Sequence, residues 1–185
     1  MIRKVKRFHE FRMISEDKSG TNYEYGCLML YVDIPNWGHL TNEIEKNDLY
    51  KPENERYGIE KEPHITILYG IHKDVDDDQV MSMFSDLTQT NFDISVNGID
   101  CFYNDEFDVL KLNVESSELN KLNKMARMLN HTNDYPTYKP HLTIAYLNKG
   151  MGNKYSDPTF HTKINNISKI VYSKTNGEKI SIPLN

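Results

Sequence analysis

The sequence predicts an α+β fold assembled from two copies of one module, each centred on a short strand. Three observations predict it. The string Pro63-His64-Ile65-Thr66-Ile67-Leu68-Tyr69 returns as Pro140-His141-Leu142-Thr143-Ile144-Ala145-Tyr146, with five of the seven positions identical. Around the two strings, segments of period-2 apolar alternation are interleaved with segments at helical spacing. The order strand, helix, hairpin, helix, strand then closes on a second hairpin at Thr175-Asn176-Gly177, where Asn-Gly is a favoured two-residue turn.

Taken in order, residues 1–22 form a basic extension carrying Arg3, Lys4, Lys6, Arg7, Arg12 and Lys18. Within it Ile2, Val5, Phe8 and Phe11 recur about every three residues, the pattern of a short amphipathic helix. Residues 23–185 are expected to form a single two-lobed domain. Residues 25–33 read as a strand with Gly26, Leu28, Leu30 and Val32 on one face, so that Tyr25, Cys27, Met29 and Tyr31 point the other way. Residues 35–62, with Trp37, Pro52 and Gly58, read as a helix-and-loop excursion in which Trp37 is either a loop anchor or a ligand contact.

In each echoed string the proline, which lacks an N–H, starts the strand. Strict alternation puts His64, Thr66 and Leu68 on one face and Ile65, Ile67 and Tyr69 on the other; His141, Thr143 and Ala145 oppose Leu142, Ile144 and Tyr146 in the same way. The apolar face belongs to a core. A His and a Thr, roughly 6.5 Å apart along the strand, remain on the other face in each copy.

Val80, Met83, Phe84 and Leu87 give a helix over 74–89, with Asp74, Asp76, Asp77 and Asp78 at the end where the helix dipole favours acids. A hairpin follows, with strands at 92–103 and 107–114 around Asn104-Asp105-Glu106. Leu110, Leu112 and Val114 face inward there, which leaves Lys111 and Asn113 useful beside a phosphate only if their face is the one lining the cleft. Ser116 or Ser117 caps a helix over 116–130 striped by Leu119, Leu122, Met125, Ala126 and Leu129. The closing hairpin pairs 164–173 with 178–184. His9, His39, His72, His131 and His161 have no partner motif and read as structural or solvated.

Two such strands brought together surround one small cleft with two imidazoles and two hydroxyls. Phosphodiester cleavage needs a group that takes a proton from the attacking hydroxyl and a group that gives one to the leaving oxygen, and histidine titrates where it can do either. Threonine hydroxyls can hold the non-bridging phosphate oxygens between them. The candidate catalytic residues are therefore His64, Thr66, His141 and Thr143. Candidate substrate contacts are Tyr25 and Tyr31, as surfaces on which a base can stack, and Lys139.

Paired His-x-Thr motifs in a duplicated chain resemble the two-histidine phosphoesterases, which include the RNA 2′,3′-cyclic phosphodiesterases often called 2′-5′ RNA ligases. The resemblance implies two pseudo-symmetric antiparallel sheet lobes with outer helices and a central cleft. The strings Tyr25-Gly26-Cys27-Leu28-Met29-Leu30-Tyr31 and Glu62-Pro63-His64 through Tyr69-Gly70-Ile71-His72 are similar to the phage anti-CBASS nucleases, which degrade cyclic oligonucleotide signals of bacterial defence without a metal. That implies a cyclic di- or trinucleotide substrate such as 3′,3′-cGAMP, no cofactor and no metal, and the cytoplasm of an infected bacterium. The alternatives are a cellular RNA 2′,3′-cyclic phosphodiesterase and a non-catalytic nucleotide-binding or virion-associated module.

Composition bounds the partners. Hydrophobic residues make up 38% and no long apolar run occurs, so no membrane partner is expected. The 22 basic against 27 acidic residues leave a net charge of −5, which argues against gripping a long nucleic acid. Two distant cysteines, Cys27 and Cys101, fit no metal spacing and suggest reduced thiols in a cytoplasm.

Overall fold

The computed structural model describes residues 13–14, 22–54, 56–84, 87, 92–132, 135 and 137–183. Met13–Ile14 (β1) and Asn22–Tyr23 (β2) pair as a two-stranded antiparallel ribbon. The rest of the amphipathic helix expected over 1–18 lies outside the described residues; at Met13 and Ile14 the chain is extended, not helical. The chain then runs through β3 (Gly26–Asp33), α1 (Trp37–Asn42), β4 (His64–Ile71), α2 (Asp77–Phe84), β5 (Ile94–Tyr103) and β6 (Phe107–Glu115). It continues through α3 (Ser117–Ala126), β7 (His141–Asn148), α4 (Gly152–Tyr155), β8 (Asp157–Ile164), β9 (Asn166–Ser173) and β10 (Lys179–Pro183).

Eight of these strands make one antiparallel sheet in the order β10-β9-β3-β4-β7-β6-β5-β8. The two echoed strands lie side by side at its centre, joined by the single pair Ile65 and Leu142. The lobes are thus halves of one sheet, and β4, β3, β9 and β10 correspond to β7, β6, β5 and β8. Residues of all four helices pack into one core against one face. It holds Leu28, Leu30, Ile65, Ile67, Leu112, Leu142 and Ile144 from the sheet with Val80, Phe84, Leu119 and Leu122, and Trp37, Leu40, Met151 and Tyr155 pack onto it. The opposite face stays open, with a small cluster of Cys27, Met29, Tyr31 and Val171 against Tyr69.

The sheet departs from the sequence reading in two places. Strict alternation breaks inside both echoed strings. On β4, Leu28 pairs with Leu68 while Met29 pairs with Thr66, so Ile67 is an extra residue. On β7, Leu110 pairs with Ala145 while Lys111 pairs with Thr143, so Ile144 is extra at the equivalent position. These bulges send Leu68 and Ala145 into the core and leave Tyr69 and Tyr146 on the His-x-Thr face, the reverse of the expected assignment. The other departure is β8, a strand the sequence did not announce. It is an edge strand, pairing with β5 alone, with a mostly solvated side-chain row and Pro158 where a central strand would lose a ladder bond.

A bulge turns a carbonyl out of the ladder, and a buried carbonyl needs a donor. The carbonyl of Ile67 accepts from Nδ2 of buried Asn123 at 2.7 Å, and that of Ile144 accepts from the backbone N–H of Glu60 at 2.9 Å. The donors cross over: α3 belongs to the connection between β6 and β7 yet serves β4, while the 43–63 excursion between β3 and β4 serves β7. Farther along, Gly70 accepts from Thr132, and Tyr146 exchanges bonds with Tyr50 and Gly58. Gly70 sits at φ +100°, and a Cβ there would lie 1.8 Å from the Thr132 carbonyl oxygen, so only glycine lets this crossing connection approach.

Replacing Asn123 with Ala should cost about 1–3 kcal/mol of stability, the usual penalty for stranding a buried carbonyl. Urea unfolding measures it, and a loss below about 0.5 kcal/mol would mean that water serves the bulge equally well.

Candidate active site

Each echoed proline places its histidine by the same local device. Pro63 and Pro140 give their carbonyls to Val32 and Val114, equivalent residues of the neighbouring strands, at 3.1 and 3.3 Å. The residue before each proline is held extended, and its carbonyl meets the imidazole two residues on. Nδ1 of His64 bonds the Glu62 carbonyl at 2.8 Å, and Nδ1 of His141 bonds the Lys139 carbonyl at 3.0 Å. A carbonyl only accepts, so Nδ1 carries the hydrogen in both rings, and each Nε2 is left to accept a proton or, once protonated, to donate one.

The antiparallel count from the Ile65 and Leu142 pair puts His64 in the row of Thr143 and His141 in the row of Thr66. The two imidazoles are near enough for the charge of one to act on the other. The four motif side chains therefore form one patch on the open face.

The surroundings of the two histidines differ. His64 stacks on Tyr31, ring centres 5.6 Å apart and planes at 28°. Lys179 donates to the Tyr31 hydroxyl at 3.4 Å and reaches Glu62 at 3.5 Å, and the Lys169 amine lies 5.1 Å from the Tyr31 ring centre. Burial raises the Tyr31 hydroxyl above its ordinary pKa, so it stays a neutral donor. His141 instead meets the edge of Phe102 at 4.9 Å. Beside it Lys111, only 4% exposed, donates to Asn113 Oδ1, lies 3.5 Å from Asp100 and sits 4.5 Å over the Phe102 ring. Part of His141 opens to solvent, yet protein crowds the ring. Burial first, then the positive charges of Lys111 and of His64 when protonated, hold it below the ordinary histidine pKa, against the Lys139 carbonyl bond that raises it.

Lys111 and Asn113 thus lie on the site face, as the sequence made conditional. Tyr31 joins the patch. Tyr25 does not: it precedes β3 at the end that pairs with Ile71, six residues or about 20 Å along the strand from Tyr31, and packs on Tyr69 and His72. The Lys139 side chain is exposed, and its carbonyl does the positioning. Trp37 proves to be an anchor, donating to the Glu60 carbonyl at 3.3 Å while packing on the core. Asp76 accepts from the Asp78 N–H at the start of α2, Asp77 pairs with Lys174, and Asp74 accepts from Asn130. Among the described residues no group of three or more His, Cys, Asp or Glu side chains is placed to hold a metal ion. Nor is any helix among them long and apolar enough to cross a membrane.

Lys169, Lys179 and Phe102 are neighbours of the site that the sequence reading passed over. The isolated lysine in Asn166-Ile-Ser-Lys-Ile-Val-Tyr-Ser173 was a usable signal, but only the pairing of Tyr31 with Lys169 says which His-x-Thr strand it lies near. Cys27 lies on the same face beside Thr66, where burial pushes its thiol up to about 12; it stays protonated and is no competing nucleophile.

Two adjacent His-x-Thr strands at the centre of a duplicated antiparallel sheet define the fold of a two-histidine phosphoesterase. The sequence description of the 2′-5′ RNA ligase superfamily matches residues 30–154, and the chain belongs to that superfamily. Among solved structures the chain is similar to Usb1 of Kluyveromyces marxianus with uridine monophosphate, at a TM-score of 0.51 and 9% identity, covering 87% of this chain and 98% of that one. At that identity the likeness concerns the fold. No curated protein sequence matches.

A histidine whose folded pKa is depressed binds its proton in the unfolded chain first. Its contribution to stability is therefore complete above about pH 6.5 and is lost as pH falls through the folded value. NMR titration should place the His141 midpoint below 6.5, and Lys111→Met should raise that midpoint without taking it past the ordinary value, because burial is the larger cause. A wild-type midpoint at or above 6.5 would contradict this account.

Proposed function

We propose that the protein is a phosphodiesterase in which His64 and His141 exchange protons across a phosphate held by Thr66 and Thr143. The observation that carries this reading is the matched pair of imidazoles, each fixed through Nδ1 by the carbonyl before its proline, so that two Nε2 atoms serve one patch. The depressed pKa suits His141 to the role of neutral base, and the acid role falls to the other imidazole of the pair, His64. His141 takes the proton of a ribose 2′-hydroxyl, the O2′–P bond forms, the P–O5′ bond breaks, and His64 gives its proton to O5′. The product carries a 2′,3′-cyclic phosphate, which water opens with the two roles exchanged. Two imidazoles supply every proton transfer, so the chemistry requires no metal.

The proposed substrate is a cyclic di- or trinucleotide signal, and the setting is phage counter-defence in the bacterial cytoplasm. Support comes from the resemblance of the β3 and β4 strings to the anti-CBASS nucleases. It comes also from charge: an acidic chain with Lys111, Lys169 and Lys179 close to the motifs suits a small anion better than a long polymer. A second reading, an RNA 2′,3′-cyclic phosphodiesterase, is favoured by the family match and by the uridine monophosphate bound in the Usb1 structure. It uses the same patch for the second step alone.

His64→Ala and His141→Ala should each lower kcat/KM by about 10²–10⁴-fold. Turnover should persist in chelator. A folded His141→Ala protein with wild-type turnover would leave only a binding role, and loss in chelator restored by a divalent ion would require a metal.

A 2′-deoxy substitution at the nucleotide whose 3′ linkage is cut should abolish cleavage of a cyclic dinucleotide and spare its binding. Chromatography of the products decides. Efficient cleavage of an all-deoxy ring would refute the nucleophile, and turnover confined to 2′,3′-cyclic-ended RNA would select the second reading.

A further inference from the structure

At the end of the sheet where β7 begins, a recess of about 690 Å³ opens directly before His141, between β6, the start of α3 and the segment that leads into β7. Its size is in the range of small-molecule sites, and its walls are chemically oriented. Asn113 lines it and is the register partner of His141. Because the Lys111 amine can only donate, Asn113 must turn Oδ1 toward it, which aims the Nδ2 hydrogens the other way. Asn120 is fixed in the opposite sense: its Nδ2 donates to the Ser116 carbonyl at 2.8 Å, so its Oδ1 is the atom offered. Tyr138 is held by its hydroxyl bond to the Thr66 carbonyl at 3.0 Å and contributes to the wall between them.

The charge around the recess decides what it takes. The start of α3 is already answered by Glu118, which accepts from the Ser116 and Ser117 hydroxyls and is held below the usual carboxylate range by them. On the lining itself the carboxylate of Glu115 is offset by the amine of Lys139. That leaves no net charge to hold a phosphate, whereas an oriented amide donor and an oriented amide acceptor match the edge of a neutral heterocycle.

We infer that this recess is a nucleobase subsite, with Asn113 and Asn120 reading the base edge of the nucleotide whose phosphate lies at His141. This rests on the phosphodiesterase reading for the phosphate's position. Lys139, exposed on the lining and next but one to His141, stands between the two. In the other half of the sheet Tyr31 occupies the position equivalent to Asn113. The two nucleotides of a bound ring are therefore treated differently, one base being read by amides and the other meeting aromatic and lysine side chains.

The test is binding, so it does not depend on turnover. Adenosine, guanosine, cytidine and uridine 3′-monophosphates, and base-free ribose 3-phosphate, are titrated into the full chain by calorimetry. At least one nucleotide should bind about tenfold tighter than ribose 3-phosphate, the sum of two net hydrogen bonds. Asn120→Leu, on an exposed position of α3, should bring that advantage below about threefold and leave ribose 3-phosphate unchanged. Asn113→Leu, checked for folding by thermal melt, should do the same. Equal affinities for all five probes in the wild type, or a base preference that survives both variants, would overturn the assignment. Absence of phosphodiester turnover beside an intact base preference would count against the reaction and leave the subsite standing.

Discussion

The structure depends on how two bulged strands are kept side by side with only one ladder pair between them. β4 and β7 meet at Ile65 and Leu142, beside the prolines that start them, and then part: past the threonines each runs beyond the start of the other and is bulged at Ile67 or Ile144. Parting exposes carbonyls in the middle of a core, where an unmatched one costs about 1–3 kcal/mol. Each is met by the connection belonging to the other half: Asn123 and Tyr138 serve β4, and Glu60 serves β7. The lobes are interlocked by this exchange, and the patch holding His64, Thr66, His141 and Thr143 inherits its geometry from it. Moving one strand would strand a carbonyl on the other.

Symmetry positions the two imidazoles alike, and the proposed proton exchange needs them to differ. The difference enters one strand away. The residues paired with His64 and Thr66 are Tyr31 and Met29, and those paired with His141 and Thr143 are Asn113 and Lys111. His141 has burial and the buried Lys111 beside it, which hold its pKa down, while His64 has a stacked tyrosine, although the two rings bond equivalent backbone carbonyls. A perfectly symmetric site would hold two imidazoles of one pKa, each a compromise between base and acid.

The seven-residue echo made the two strands, their pairing of His with Thr and the duplicated α+β plan legible, because all of these follow from local spacing. The faces of Tyr69 and Tyr146 were not. A bulge resets the alternation, and the signal for it is the pair of adjacent apolar residues Ile67-Leu68 and Ile144-Ala145, which local spacing alone reads as ordinary strand. Tyr25 and Tyr31 share a parity and so looked equivalent, whereas register puts one beside His64 and the other beside Ile71. Lys169 and Lys179 come from strands more than a hundred residues downstream of Tyr31, and nothing in their own segments names the strand they lie beside.

Charge bears on the ligand proposed for the site. With a net charge of −5 the protein as a whole repels polyanions, and the effect of that repulsion grows with the number of phosphates presented. The positive charge of Lys111, Lys169 and Lys179 beside the motifs acts over a short distance only, on the order of the 8–10 Å over which charges act at physiological salt. A ligand with two or three phosphates drawn into a ring can keep all of its charge within that zone. An extended strand must leave most of its charge outside, facing carboxylates. On the proposed phosphodiesterase reading, the lysines beside the motifs would therefore favour a short ligand over a long one.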